Sequence, residues 1–262
     1  MLYGAAVANE RSPSPTTGGA ASPEGDLRLR LRPRWGLGDV ALGFVVGQVG
    51  GLVLMTLILA ITGRSPDEID DLPLALVALA QVGLWLGLLG VPLLATRRKG
   101  NGVITDLGLR GRWEDAWKGG LIGVAVQFPL LPMLYAPILA LFDKSSRDLE
   151  GPARELTDRA TDPVGVVLLI LIVGVGAPII EEIFYRGLLQ GSLLKRGIPV
   201  GTAILLTNIV FGLSHLQVLQ LPGLAVAGVV FSVLAYRARR LGPAIAAHVG
   251  FNMATVVALL VA

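Results

Sequence analysis

The chain has 262 residues, 53% of them hydrophobic and only 16% charged, with a formal net charge of +3. A typical soluble domain carries about 25% charged residues, so the composition argues against a water-soluble protein, and nothing in the charge calls for a nucleic-acid partner. There is no cysteine, which excludes disulfides and thiolate metal sites.

Residues 1–26 are rich in Ser, Pro, Gly and Ala and cannot build a core, so they read as a disordered tail. They lack the continuous apolar stretch of a secretory signal. Arginines at 28, 30, 32 and 34 then lead into Trp35. This is the pattern of a cytoplasmic juxtamembrane segment with an aromatic anchor at headgroup level. Seven uncharged runs follow, at roughly 39–62, 73–96, 119–142, 163–180, 198–216, 219–236 and 242–262. Each covers or nearly covers the ~20 residues that cross about 30 Å of hydrocarbon. They are apolar all round, unlike the one-sided helices of a soluble core. The expected fold is all-α, a polytopic transmembrane bundle of about seven to eight helices.

The loops alternate in sign. Residues 64–71 are acidic, 96–119 basic, 143–162 mixed with an acidic excess, 194–199 basic, 216–223 uncharged and 237–240 strongly basic. The positive-inside rule then gives a cytoplasmic N-terminus, seven crossings and an external C-terminus. Gly43, Gly47 and Gly51 recur every fourth residue in the first run, a seam that lets another helix come close. Trp113 and Trp117 stand among charges in a segment suited to the membrane interface.

Polar side chains are unevenly spread. The first three runs hold only Gln48, Gln81 and Gln127 as large polar groups, whereas the later ones hold "EEIFYR" from Glu181, "FGLSH" ending at His215, and "HVGFN" from His248. A full charge at the bilayer centre costs roughly 2.5–3.5 kcal/mol or more, so such groups face an interior and mark function. Pro178 is expected to kink or start a helix. Beyond it, Glu182 and Arg186 are four apart and share a face, so they can pair. Glu181 lies about 100° round the helix and lacks that partner. His215 has Phe211 and Asn208 on nearly its own face, and His248 and Asn252 are four apart. A carboxylate beside a neutral imidazole can take a proton from water, and an Asn amide or second His can donate to the developing oxyanion. Glu181, His215 and His248 could instead give oxygen and nitrogen ligands to a divalent metal such as zinc, although HExxH is absent. No other cofactor is expected.

In order on successive apolar segments, these motifs read EExxxR, FxxxH and HxxxN. The chain resembles, over roughly 163–262, the CPBP (Abi, CAAX-protease and bacteriocin-processing) family of intramembrane proteases, related to the prenyl-protein CAAX endopeptidases. The resemblance implies Glu181 as general base with His215, His248 and Asn252 as oxyanion donors, and Glu182 and Arg186 as supports. It implies a membrane-associated peptide or protein substrate, in a multi-pass protein of a bacterial plasma membrane, and leaves both glutamic and metal-dependent mechanisms open. It divides the chain into a tail with its arginine cluster (1–34), N-terminal transmembrane helices and loops (35–160) and a catalytic core (161–262). Two other classes compete: a non-catalytic immunity or scaffold protein of the same fold, and a small-solute or ion transporter. A transporter would favour polar groups along several helices and an internal repeat, and neither is visible.

Overall fold

The computed structural model describes residues 33–261. The tail, with Arg28, Arg30 and Arg32, lies outside them. Among the described residues every regular element is helical. Six helices are long and apolar enough to cross a membrane: α1 (Leu37–Thr62), α2 (Leu74–Lys99), α4 (Trp113–Leu141), α6 (Pro163–Lys195), α8 (Leu221–Ala238) and α9 (Gly242–Leu260). Between them lie the short α3 (Val103–Asp106), the amphipathic α5 (Ser146–Asp158) and the apolar α7 (Val200–Leu213).

The expected count of seven to eight membrane helices is not reached among the described residues, where six helices have full length. The difference lies at 198–216. That run is uncharged, but Pro199 precedes the helix and residues 214–216 form a turn, so only 14 residues are helical. At 1.5 Å per residue α7 is about 21 Å long.

The helix ends sort by charge. At one end, the Lys195 ammonium bonds the Trp35 carbonyl (2.5 Å), Arg34 N donates to Lys99 O (2.6 Å), Leu241 N donates to Gly108 O (2.8 Å), and Arg240 pairs with Asp115 (2.6 Å). The ends of α2, α6 and α8 thus bring their Arg and Lys residues together. At the other end Arg159 meets Asp70 (3.5 Å), Gln220 bonds Leu149 O (2.8 Å), and Tyr135 bonds Leu219 O (2.9 Å). The acidic 66–71 and 143–162 segments gather there.

The glycine seam forms between α1 and α2. Gly43 and Gly47 lie against Gly87 and Leu84, and Gly50 lies against Gly83. A Cβ on Gly50 would sit 2.5 Å from the Gly83 carbonyl oxygen, whereas one on Gly51 would meet only ordinary contacts at 3.7 Å. The third contact thus belongs to Gly50 and not to the expected Gly51. Trp113 and Trp117 form the exposed first turns of α4, with ring centroids 6.5 Å apart.

Asp162 caps α6 by accepting from Gly165 N (2.7 Å), with Pro163 at the first helical position. Pro178 does not begin the helix. It lies within it, at an ordinary α-helical turn between two π-wide stretches, Ile170–Gly176 and Glu182–Gln190. The Ala177 N–H bonds Ile172 O, five residues back, and Pro178 has no N–H to give. Wide turns of this kind recur at functional sites.

Candidate active site

The second carboxylate of the EExxxR motif is fully buried. Glu182 Oε1 accepts from Arg186 Nη1 at 2.8 Å, as the four-residue spacing predicts, and from His248 Nδ1 at 2.9 Å. Arg186 Nη2 also donates to Asn208 Oδ1 (2.9 Å) and the Gly228 carbonyl (3.0 Å), and Nε to Ser232 Oγ (3.3 Å). Asn208 Nδ2 reaches Ser232 Oγ in turn (2.9 Å). The guanidinium lies 4.5 Å from the Phe211 ring centroid. A buried charge is tolerable only when paired and hydrogen-bonded. This cage, built from α6, α7, α8 and α9, gives Arg186 Nε, Nη1 and Nη2 each a partner, while the second Glu182 oxygen, Oε2, is buried without one among the described residues.

Glu181, one residue earlier, turns away from the cage. It lines a cavity of about 570 Å³ together with His215, His248 and Asn252. Its Oε2 lies 3.8 Å from His248 Nε2, and it has no hydrogen-bond partner among the described residues. The His248 ring stacks on Phe231 (4.7 Å) and meets Phe211 edge-on (5.9 Å), so both its plane and its Nδ1 contact are fixed.

His215 is held through one carbonyl. Its Nδ1 lies 2.8 Å from Phe211 O. A carbonyl can only accept, so Nδ1 carries a proton, and in the neutral ring Nε2 is the acceptor. Ser214 Oγ donates to the same carbonyl (2.7 Å) and accepts from the Tyr185 hydroxyl (2.7 Å).

Asn252 Nδ2 donates to Val173 O at 2.8 Å. That carbonyl is open because of the wide turn: Ala177 N–H goes to Ile172, and the next residue is Pro178. The defect in α6 thereby docks the HxxxN face of α9. Gly174 clears the way, since a Cβ there would collide with the Met253 sulfur.

Residues 163–254 match the family model described as Type II CAAX prenyl endopeptidase Rce1-like. The chain carries a domain of this family. No curated protein and no solved structure matches the chain.

The Rce1-like domain contains Glu181, Glu182, Arg186, His215, His248 and Asn252, and the structure brings the four expected to do chemistry to one cavity. It does not assemble them as a metal cage: among the described residues no three His, Cys, Asp or Glu side chains stand close enough to hold an ion. His215 and His248 each engage Nδ1 with a protein acceptor. That leaves Nε2 of each ring for any ligand, but the expected zinc set of Glu181, His215 and His248 is not drawn together into an ion site among the described residues.

Sequence reasoning missed three things. His248 was not linked to Glu182. Ser232 and Gly228 were unremarked, although small residues four apart on one apolar helix were a legible sign of close approach. Gln81 and Gln127, outside the Rce1-like domain, also line the cavity, and their amides have no hydrogen-bond partner among the described residues.

Proposed function

We propose that the chain is an intramembrane endopeptidase that hydrolyses a peptide bond of a membrane-associated peptide or protein. The observation that carries this reading is the separation of the two glutamates. Glu182 is engaged by Arg186 and His248, while Glu181 faces the cavity unbonded, 3.8 Å from His248 Nε2, with His215 on the wall of the same cavity.

In this reading Glu181, with the free Nε2 of His215, takes a proton from a cavity water. The hydroxide adds to the carbonyl carbon of the scissile bond. Asn252 and His248 donate to the oxyanion, and the Glu182 carboxylate stabilises positive charge on His248. Collapse of the tetrahedral intermediate breaks the C–N bond as the abstracted proton passes to the leaving nitrogen. Gln81 and Gln127 offer paired donors and acceptors to the substrate main chain, whose polar groups must be satisfied away from water. Residues 161–262 form the catalytic core, α7 brings the crossings from six to seven, and the basic end faces the cytoplasm.

The test is co-expression with a library of membrane peptides. Cleavage by wild type that is absent with Glu181→Ala supports the reading, and no cleavage by wild type across the library removes it. No step passes through a metal, so turnover survives a chelator. Loss in chelator with recovery on adding zinc would replace the mechanism by a metal-dependent one. A reporter fused within 143–162 is expected to signal an external location, and a cytoplasmic signal inverts the topology.

A further inference from the structure

A second cleft, of about 480 Å³, opens at the basic end of the bundle, on the opposite side of the Arg186 cage from the catalytic cavity. Its rim carries Arg237 from the last turn of α8 and Arg239 and Arg240 from the turn between α8 and α9. Their charges are not equally available. Arg240 donates to both Asp115 oxygens, at 3.1 and 2.6 Å. Asp106, the one carboxylate on the wall, accepts from the Trp35 indole (2.8 Å) and Asn101 N (2.8 Å). Arg237 and Arg239 have neither an ion pair nor a side-chain hydrogen bond among the described residues. Arg239 also takes φ 54°, a conformation in which a non-glycine residue is uncommon. The turn thus holds an arginine where glycine would be easiest.

The rest of the wall is not that of a site for a free ion alone. Leu107, Leu194 and Leu241 form apolar sides below the arginines. The cleft lies where membrane-length helices α6 and α8 end, which is headgroup depth for a spanning bundle. Two unpaired guanidinium groups above an apolar wall match an amphiphilic phosphate, and basic pockets between membrane helices hold lipid head groups in this way. We propose that this cleft binds the phosphate of an anionic phospholipid head group through Arg237 and Arg239. Inorganic phosphate or a soluble phosphate ester offers the same charge without the acyl chains.

The experiment uses the purified full chain in neutral detergent and follows thermal unfolding. Phosphatidylglycerol, phosphatidylcholine, inorganic phosphate and glycerol 3-phosphate are titrated separately. A saturable rise in Tm with phosphatidylglycerol and none with phosphatidylcholine is expected. The Arg237→Gln/Arg239→Gln variant should bind it about thirtyfold more weakly, and Arg97→Gln/Arg98→Gln, on the same face but outside the cleft, should behave as wild type. An equal rise with inorganic phosphate or glycerol 3-phosphate keeps the anion site and reassigns its ligand to a soluble phosphate. The proposal is overturned if no anion raises Tm, if the Arg237/Arg239 variant responds like wild type, or if the Arg97/Arg98 variant loses as much. Neither peptide cleavage nor its absence enters the readout.

Discussion

Glu182 and His248 share a hydrogen bond of 2.9 Å across 66 positions of chain, and both are buried. Through it the imidazole that faces the cavity is tied to the guanidinium cage behind it. The two adjacent glutamates consequently answer to different tests.

Glu181→Gln should leave the protein folded and inserted and cut turnover by about 10²-fold or more, the usual contribution of a positioned base. Glu182→Gln should lower the folded yield, since breaking a buried pair costs about 3–5 kcal/mol. Cleavage per mole of folded protein, with monodispersity as the measure of folding, separates the two. A well-folded but inactive Glu182→Gln beside an active Glu181→Gln would exchange their roles.

Gly228→Ala should destabilise the bundle. The added methyl would meet the Asn208 amide and stand 2.9 Å from Arg186 Nη2, both parts of a filled hydrogen-bond cage. Ser232→Ala should cost about 1–3 kcal/mol through the unpaired groups it leaves on Arg186 and Asn208. Thermal unfolding in detergent reads both. Gly223, whose Cβ would press on Tyr135 at the far end of α8, offers an internal comparison for a clash outside the cage.

Gln81→Leu and Gln127→Leu should fold as well as wild type, because neither amide has a protein partner to strand. If they hold the substrate main chain, each raises KM for a cleaved library peptide about fivefold, with kcat nearly unchanged, as expected for a lost hydrogen bond of about 1 kcal/mol. The same peptide with an ester in place of the contacted amide should show a smaller difference. Unchanged KM in both variants would leave the glutamines as wall and nothing more.

Acid should loosen the start of α5. The Ser145 amide and hydroxyl hold the Asp148 carboxyl below the usual carboxylate range. A depressed folded value gives stability that is present above the unfolded value and is lost as pH falls through the folded one. Protection from hydrogen exchange at the Ser145 amide, corrected for the intrinsic rate, should therefore fall as pH drops below about 4, and Asp148→Ala should already lack it near neutrality. Glu68, capped by Ser65 in the same way, should follow the same course.

The sequence spoke where chemistry is local. Four-residue spacing paired Glu182 with Arg186 and set Glu181 on another face, and the rarity of polar groups in apolar helices picked out His215, His248 and Asn252. It was silent where a contact depends on how helices pack. Glu182 meets His248 only because α9 lies against α6, and Asn252 finds the Val173 carbonyl only because Pro178, five residues on, has no N–H to fill it. Ser232 and Gly228 carry too little side chain to announce a guanidinium. The shortness of α7 was hidden because hydropathy counts apolar residues whether or not they are helical.

That shortness bears on a reactant. Hydrolysis consumes water, which hydrocarbon does not supply. A helix of about 21 Å in a layer about 30 Å thick leaves a mismatch, which is relieved by thinning the bilayer or drawing polar material down to the helix end. His215 stands two residues past Leu213, where α7 stops. In the proposed seven-crossing topology the dip in the membrane falls beside the imidazole, so the deficit in one helix would become a route for solvent to the residue that would use it.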